Sequence, residues 1–168
     1  MAQETDNNPC NTDGAAHRFE LVLRRTLDAS PERIWKAWMT PELLQQWFAP
    51  KPWSISDVNV DPRPGGVFNF IMHGPDGERF PNAGIFLEVE PGRRWTTTDA
   101  LTPDWKPAGQ PFMVATVELT PTADGQTEYV ATARHWNEET MKQHEAMGFH
   151  EGWGQCADQL AELLKQPN

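Results

Sequence analysis

The stretch from Glu138 to Lys165, EETMKQHEAMGFHEGWGQCADQLAELLK, constrains this chain more than any other. Ala146, Phe149, Trp153, Cys156, Leu160 and Leu163 recur at alternating spacings of three and four. That is one apolar stripe of an α-helix, and Lys142, Glu151, Asp158 and Lys165 fall mostly off it. The spacing predicts a single long helix. Such a helix cannot bury its own stripe, so the rest of the chain has to supply a sheet-like surface. Gly148, Gly152 and Gly154 interrupt the pattern, each at about 1 kcal/mol relative to alanine. They mark either a close approach of the backbone to a neighbour or space left beside the helix.

The remainder reads as strands and turns. Residues 1–16 are polar and form an expected unstructured leader, followed by one domain over residues 17–166. Phe19, Leu21, Leu23 and Leu27 alternate with polar residues as in a half-buried strand, with Arg25 interrupting the apolar face. Ser30-Pro31 and Thr40-Pro41 each open a short helix, since Ser and Thr cap and proline suits the first helical position. Six strands follow, near Trp53–Val60, Gly66–His73, Asn82–Glu90, Arg94–Ala100, Phe112–Leu119 and Glu128–His135, and the segment Leu101–Pro111 shows no pattern. Sequential strands joined by short turns imply an antiparallel sheet, so the fold class is α+β. Small residues expected to face the helix (Ala115, Ala131, Ala133) leave two alternatives, a cavity or a space filled by the many Trp and Phe rings.

A formal net charge of −10 and a pI near 4.9 argue against nucleic acid or an anionic membrane as partner. No apolar run is long enough to span a bilayer and the N-terminus lacks the features of a signal peptide, which places the chain in the cytoplasm. Cys10 and Cys156 have no metal-ligand spacing and no expected disulfide. His144 and His150, six residues apart on the predicted helix, point about 120° apart, which argues against a shared metal ion. No nucleophile elbow, phosphate-binding loop or dinucleotide fingerprint occurs, so no catalytic residue, metal or cofactor is assigned.

The order β-αα-β₆-α, carried by RTLDASPERIWKAWMTPELLQQWFAP, DVNVDPRPGGVFNF and MGFHEGWGQCADQLAELL, resembles the START-like or SRPBCC superfamily. Within it, the chain is similar to the bacterial group related to the C-terminal domain of the heat-shock protein 90 ATPase activator, over about residues 17–165. The resemblance implies a helix-grip fold, a curved seven-stranded antiparallel sheet wrapped around the C-terminal helix with two short helices after the first strand. It also implies an apolar small-molecule ligand held between sheet and helix. Alternatives from the same resemblance are a cyclase- or hydrolase-like enzyme and a chaperone-interaction domain.

In such a fold Trp47, Trp53, Phe68, Phe70, Met72, Trp95, Phe149 and Trp153 converge on the interior as candidate pocket residues, with Asp99 and His135 as polar members. His135, at a strand end, reads either as a pocket donor or general base, or as a hydrogen-bonded structural histidine. Asp99 and Arg25 read either as paired cavity-wall groups or as solvated strand ends. The expected pocket lies toward the N-terminal half of the last helix, with Leu160–Leu164 as its anchor. A monomer or a weak homodimer is expected.

Overall fold

The computed structural model describes residues 19–167, and the expected leader, Cys10 and Asn168 lie outside them. The elements run β1 (Glu20–Leu27), α1 (Pro31–Met39), α2 (Pro41–Leu44), β2 (Ser54–Val60), β3 (Phe68–His73), β4 (Arg79–Asn82), β5 (Ile85–Glu90), β6 (Arg94–Thr98), β7 (Leu101–Thr102), β8 (Lys106–Pro107), β9 (Val114–Pro121), β10 (Thr127–Arg134), α3 (Glu138–Ala146) and α4 (Phe149–Leu164). No helix among the described residues is long and apolar enough to cross a membrane.

Antiparallel pairing gives five strands in the order β1-β10-β9-β6-β5 and three in the order β2-β3-β4. The two sets are stitched together beside the first turn of β3. Gly65 N–H donates to Phe86 O (2.8 Å), Phe86 N–H to Gly66 O (2.9 Å) and Phe68 N–H to Gly84 O (3.0 Å), and Val67 bridges Ile85. β4 and β5 are therefore two halves of one strand bent at Ala83-Gly84, and the sheet is a continuous α+β helix-grip surface of seven strand lines. Gly84 is required at the bend because a Cβ there would run into the Thr98 carbonyl. The segment expected to lack pattern holds the small hairpin β7–β8, a correction the mixed Pro-rich composition did not signal.

Local chemistry explains the helix starts. Ser30 Oγ accepts from Arg33 N–H (3.4 Å) with Pro31 in the first turn, and Asn137 Oδ1 accepts from Thr140 N–H (2.8 Å) to open α3. The single long helix expected from Glu138 to Lys165 is two helices. Gly148, at φ 93°, is left-handed and ends the run before α4 begins. A glycine reaches that conformation freely, whereas a side chain there is strained. Gly148→Ala is expected to destabilise the chain by about 1–2 kcal/mol, read as a lower urea midpoint at unchanged slope.

α4 packs on β1 and on the loop after α2. Gly154 brings the helix against the sheet, its would-be Cβ lying 2.9 Å from Arg25 Nη2 and 4.0 Å from Leu23 Cδ1. On the other flank, Gln159 Nε2 donates to Trp47 O (2.9 Å) and Ala49 O (2.8 Å) while its Oε1 accepts from Lys51 N–H (3.0 Å). Ala157, Leu160 and Leu164 are buried beneath, so the C-terminal half is the anchor.

Candidate functional site

The ten residues predicted to line a pocket separate into three settings. Trp47, Phe68 and Trp95 are buried in a ring cluster with Trp35, Trp38, Phe48, Phe70 and Phe86, packed largely edge to face at centroid distances of 5.1–6.3 Å. These rings fill the interior, and Trp47 also donates through Nε1 to Ala37 O (3.2 Å). For them the structure favours filled core over cavity wall.

Trp53, Phe70 and Met72 are only half-buried on the three-stranded side of the sheet. Trp53 stacks on the exposed Phe80 at 6.0 Å. β3 lacks the alternation of a fully covered strand: after Phe68 every residue from Asn69 to His73 is partly exposed. Phe68, Phe70 and Met72 form its apolar face, and of these only Phe68 is fully buried.

Asp99, His135, Phe149 and Trp153 belong to the third setting, at the break between α3 and α4. Asp99 Oδ1 accepts from Phe112 N–H (2.8 Å) and Met113 N–H (3.1 Å), fixing the chain that leads into β9. Arg25 instead lies against Gly154 and reaches Asp158 at 4.0 Å, so the considered Arg25–Asp99 pairing does not form. Phe112 O accepts from His135 Nδ1 (3.0 Å), and His135 Nε2 lies 3.0 Å from His144 Nδ1. Phe112, Phe149 and Trp153 surround the His144 ring at centroid distances of 5.0, 5.2 and 5.8 Å.

Both ring nitrogens of His135 are thus engaged, the pattern of the hydrogen-bonded histidine that the strand-end position also allowed. Burial, helped by the neighbouring His135, pushes the His144 imidazole down from 6.5 to about 4. Burial likewise raises the Cys156 thiol to about 12, leaving it a weak nucleophile. His150 is exposed on α4, on the far side of the helix break from His144. Among the described residues no cluster of His, Cys, Asp or Glu is placed to hold a metal ion.

Sequence reasoning missed His144 as the partner of His135, and Phe112 as the residue between them. The only trace in the sequence is that His144 lies three positions after the apolar Met141, which puts both on one side of a helix without naming His135 or Phe112 as partners.

Among the described residues no ring contact joins the histidine cluster to the Trp95 cluster. Met72, Met113, Met141, Trp153 and Cys156 pack partly buried at the margins of the core. On α4, Gly152 has no atom within 4 Å of the position a Cβ would take. Gly152 precedes Cys156 and Gln159 on one helical flank, so open space lies beside the N-terminal half of α4. Two surface hollows of about 380 and 170 Å³ lie elsewhere, one lined by Asp61, Arg63 and Trp105, the other by Arg24, Arg25 and Glu128. Neither is lined by any of the ten predicted residues.

The family described as Activator of Hsp90 ATPase homolog 1-like protein matches residues 28–165. No curated protein matches the chain. Among solved structures, a Nitrosomonas europaea protein is 49% identical, with 88% of this chain and 95% of that one covered and a TM-score of 0.85. A Mycobacterium smegmatis protein (24% identity, 89% and 93% covered, TM-score 0.74) shares the fold, as does an AHSA1-like protein from Aeromonas hydrophila (22%, 87% and 92%, 0.66).

Proposed function

The chain belongs to the Activator of Hsp90 ATPase homolog 1-like family, and from that premise we propose that it is a cytoplasmic protein that binds an apolar small molecule between the sheet and the N-terminal half of α4. The observation that carries this reading is the unmatched apolar surface of β3. Phe70 and Met72 share one face of β3 with the buried Phe68, yet both stay half-exposed, and on α4 no atom lies within 4 Å of the position a Gly152 Cβ would take. Uncovered apolar surface of this kind is what an apolar ligand buries. Met72, on that face, is partly buried against the core and adapts to shape without polar demands.

A ligand at one hundred times its Kd stabilises the folded chain by about 2.7 kcal/mol, which for a chain of this size raises Tm by roughly 5–10 °C. A panel of polycyclic and long-chain apolar compounds, screened by thermal shift, is expected to include such ligands, and Phe70→Ala or Trp153→Ala to abolish the shift. If no compound in a broad panel stabilises the chain, the reading falls.

Gly152→Ala separates the site from the scaffold. The added methyl meets no atom of the free chain, so helix propensity is expected to raise stability by about 0.5–1 kcal/mol. The same methyl occupies ligand space, so affinity is expected to drop. Opposite changes in urea midpoint and ligand Kd are the signature; parallel changes would place the ligand elsewhere.

A second reading, stimulation of a chaperone ATPase, is favoured by the family's description. It requires the chaperone's ATPase rate to rise when this protein is added, and an unchanged rate rejects it.

A further inference from the structure

The polar character of the ligand follows from the order of protons in the His135–His144 pair. A peptide carbonyl only accepts, so His135 Nδ1 carries the proton it shares with Phe112 O at 3.0 Å. When His135 is uncharged its lone pair lies on Nε2, and His144 Nδ1, 3.0 Å away, is then the donor. His144 is thereby fixed as the Nδ1–H tautomer with its own lone pair on Nε2.

That lone pair is unused, since His144 Nε2 has no hydrogen-bond partner among the described residues. Nor is it fully enclosed in the way of Trp95 Nε1, which is buried without a hydrogen-bond partner among the described residues. The residual exposure of His144 therefore includes an acceptor nitrogen, on a ring 5.8 Å from that of Trp153. Burial keeps the imidazole uncharged at neutral pH, so it does not become a donor there.

Resting on the binding reading above, we propose that His144 Nε2 is the specificity-determining polar contact of the site, and that the ligand is a neutral apolar molecule carrying one hydroxyl that donates to it. An ether of the same shape brings oxygen lone pairs against the nitrogen lone pair and gains nothing. A carboxylate brings negative charge to a neutral acceptor in a chain of net charge −10.

Three matched probes test this near neutral pH: naphthol, its methyl ether and naphthoate, titrated calorimetrically into the unaltered chain and into His144→Phe. The expected result is that naphthol binds the unaltered chain about tenfold more tightly than either analogue, the size of one net hydrogen bond. In His144→Phe the three affinities are expected to converge within about twofold. Equal affinities in the unaltered chain overturn the proton order while leaving apolar binding intact. No binding by any probe overturns the apolar-ligand reading itself. Long-range nitrogen–proton NMR spectra of the histidine rings in the unaltered chain give a second test that no folding failure can obscure. Nδ1–H on both rings supports the proposal, and Nε2–H on His144 overturns it.

Discussion

Trp95→Ala is expected to cost about 3–5 kcal/mol of folding stability, enough to leave a chain of ordinary stability partly unfolded at room temperature. The side chain is 1% exposed and packs edge to face on Trp35 (5.4 Å) and Trp38 (5.2 Å), so its removal leaves a cavity bounded by rigid rings that cannot collapse into it. Trp95→Phe is expected to cost far less than its lost volume suggests. The indole Nε1 is buried without a hydrogen-bond partner among the described residues, a burden of about 1–3 kcal/mol that phenylalanine does not carry. Urea unfolding of both variants checks the contrast. Equal losses would mean that the indole N–H is paired in solution.

The second large effect is a loss of stability with acid. The His144 imidazole titrates near 4 in the folded chain against 6.5 unfolded, because burial and the adjacent His135 disfavour its charge. Between those values the unfolded chain takes up a proton that the folded chain does not. This contribution to stability is therefore fully present above pH 6.5, declines as pH falls toward 4, and is flat below. Its slope approaches about 1.4 kcal/mol per unit and its total is on the order of 3 kcal/mol. The rings of His135, Phe112, Phe149 and Trp153 surround the His144 imidazole. Denaturation midpoints at pH 7 and pH 5 are expected to differ by less in His144→Phe than in the unaltered chain. An equal difference in both chains would remove His144 as the source.

How far the chain can be read without coordinates depends on the kind of information each feature needs. Ser30-Pro31 announces α1 because capping is chemistry between near neighbours, and Gly-rich turns bound β2, β3 and β9 for the same reason. The break at Gly148 was not legible, since spacings of three and four continue through it and periodicity carries no φ. The three glycines of this region have three different reasons: a left-handed backbone at 148, open space at 152 and the Arg25 side chain at 154. Alternation correctly put Trp95 and Phe70 on inward faces, but facing inward does not fix volume. One is sealed among rings while the other is half-open at the sheet's far end. The His135–His144 pair joins a strand end to a separate helix, and Phe112 joins them through its backbone carbonyl. No local spacing encodes such a triangle.

The bend at Gly84 has a further consequence, felt in concentrated solution rather than in folding. By turning β5 toward β6, it leaves β4 as the last strand on its side, with all four residues exposed. Gly74 N–H donates to Glu78 O (2.9 Å) where the β3–β4 hairpin closes. Hydrogen-bonded pairs alternate from that point, so positions 79 and 81 turn their backbone groups away from β3. Position 81 is a proline, which has no N–H to offer, and position 79 is an arginine that brings charge to the rim. A second molecule approaching this edge finds the ladder of donors interrupted at its centre. The strand that the bend leaves without a neighbour is thereby also a poor template for fibre growth.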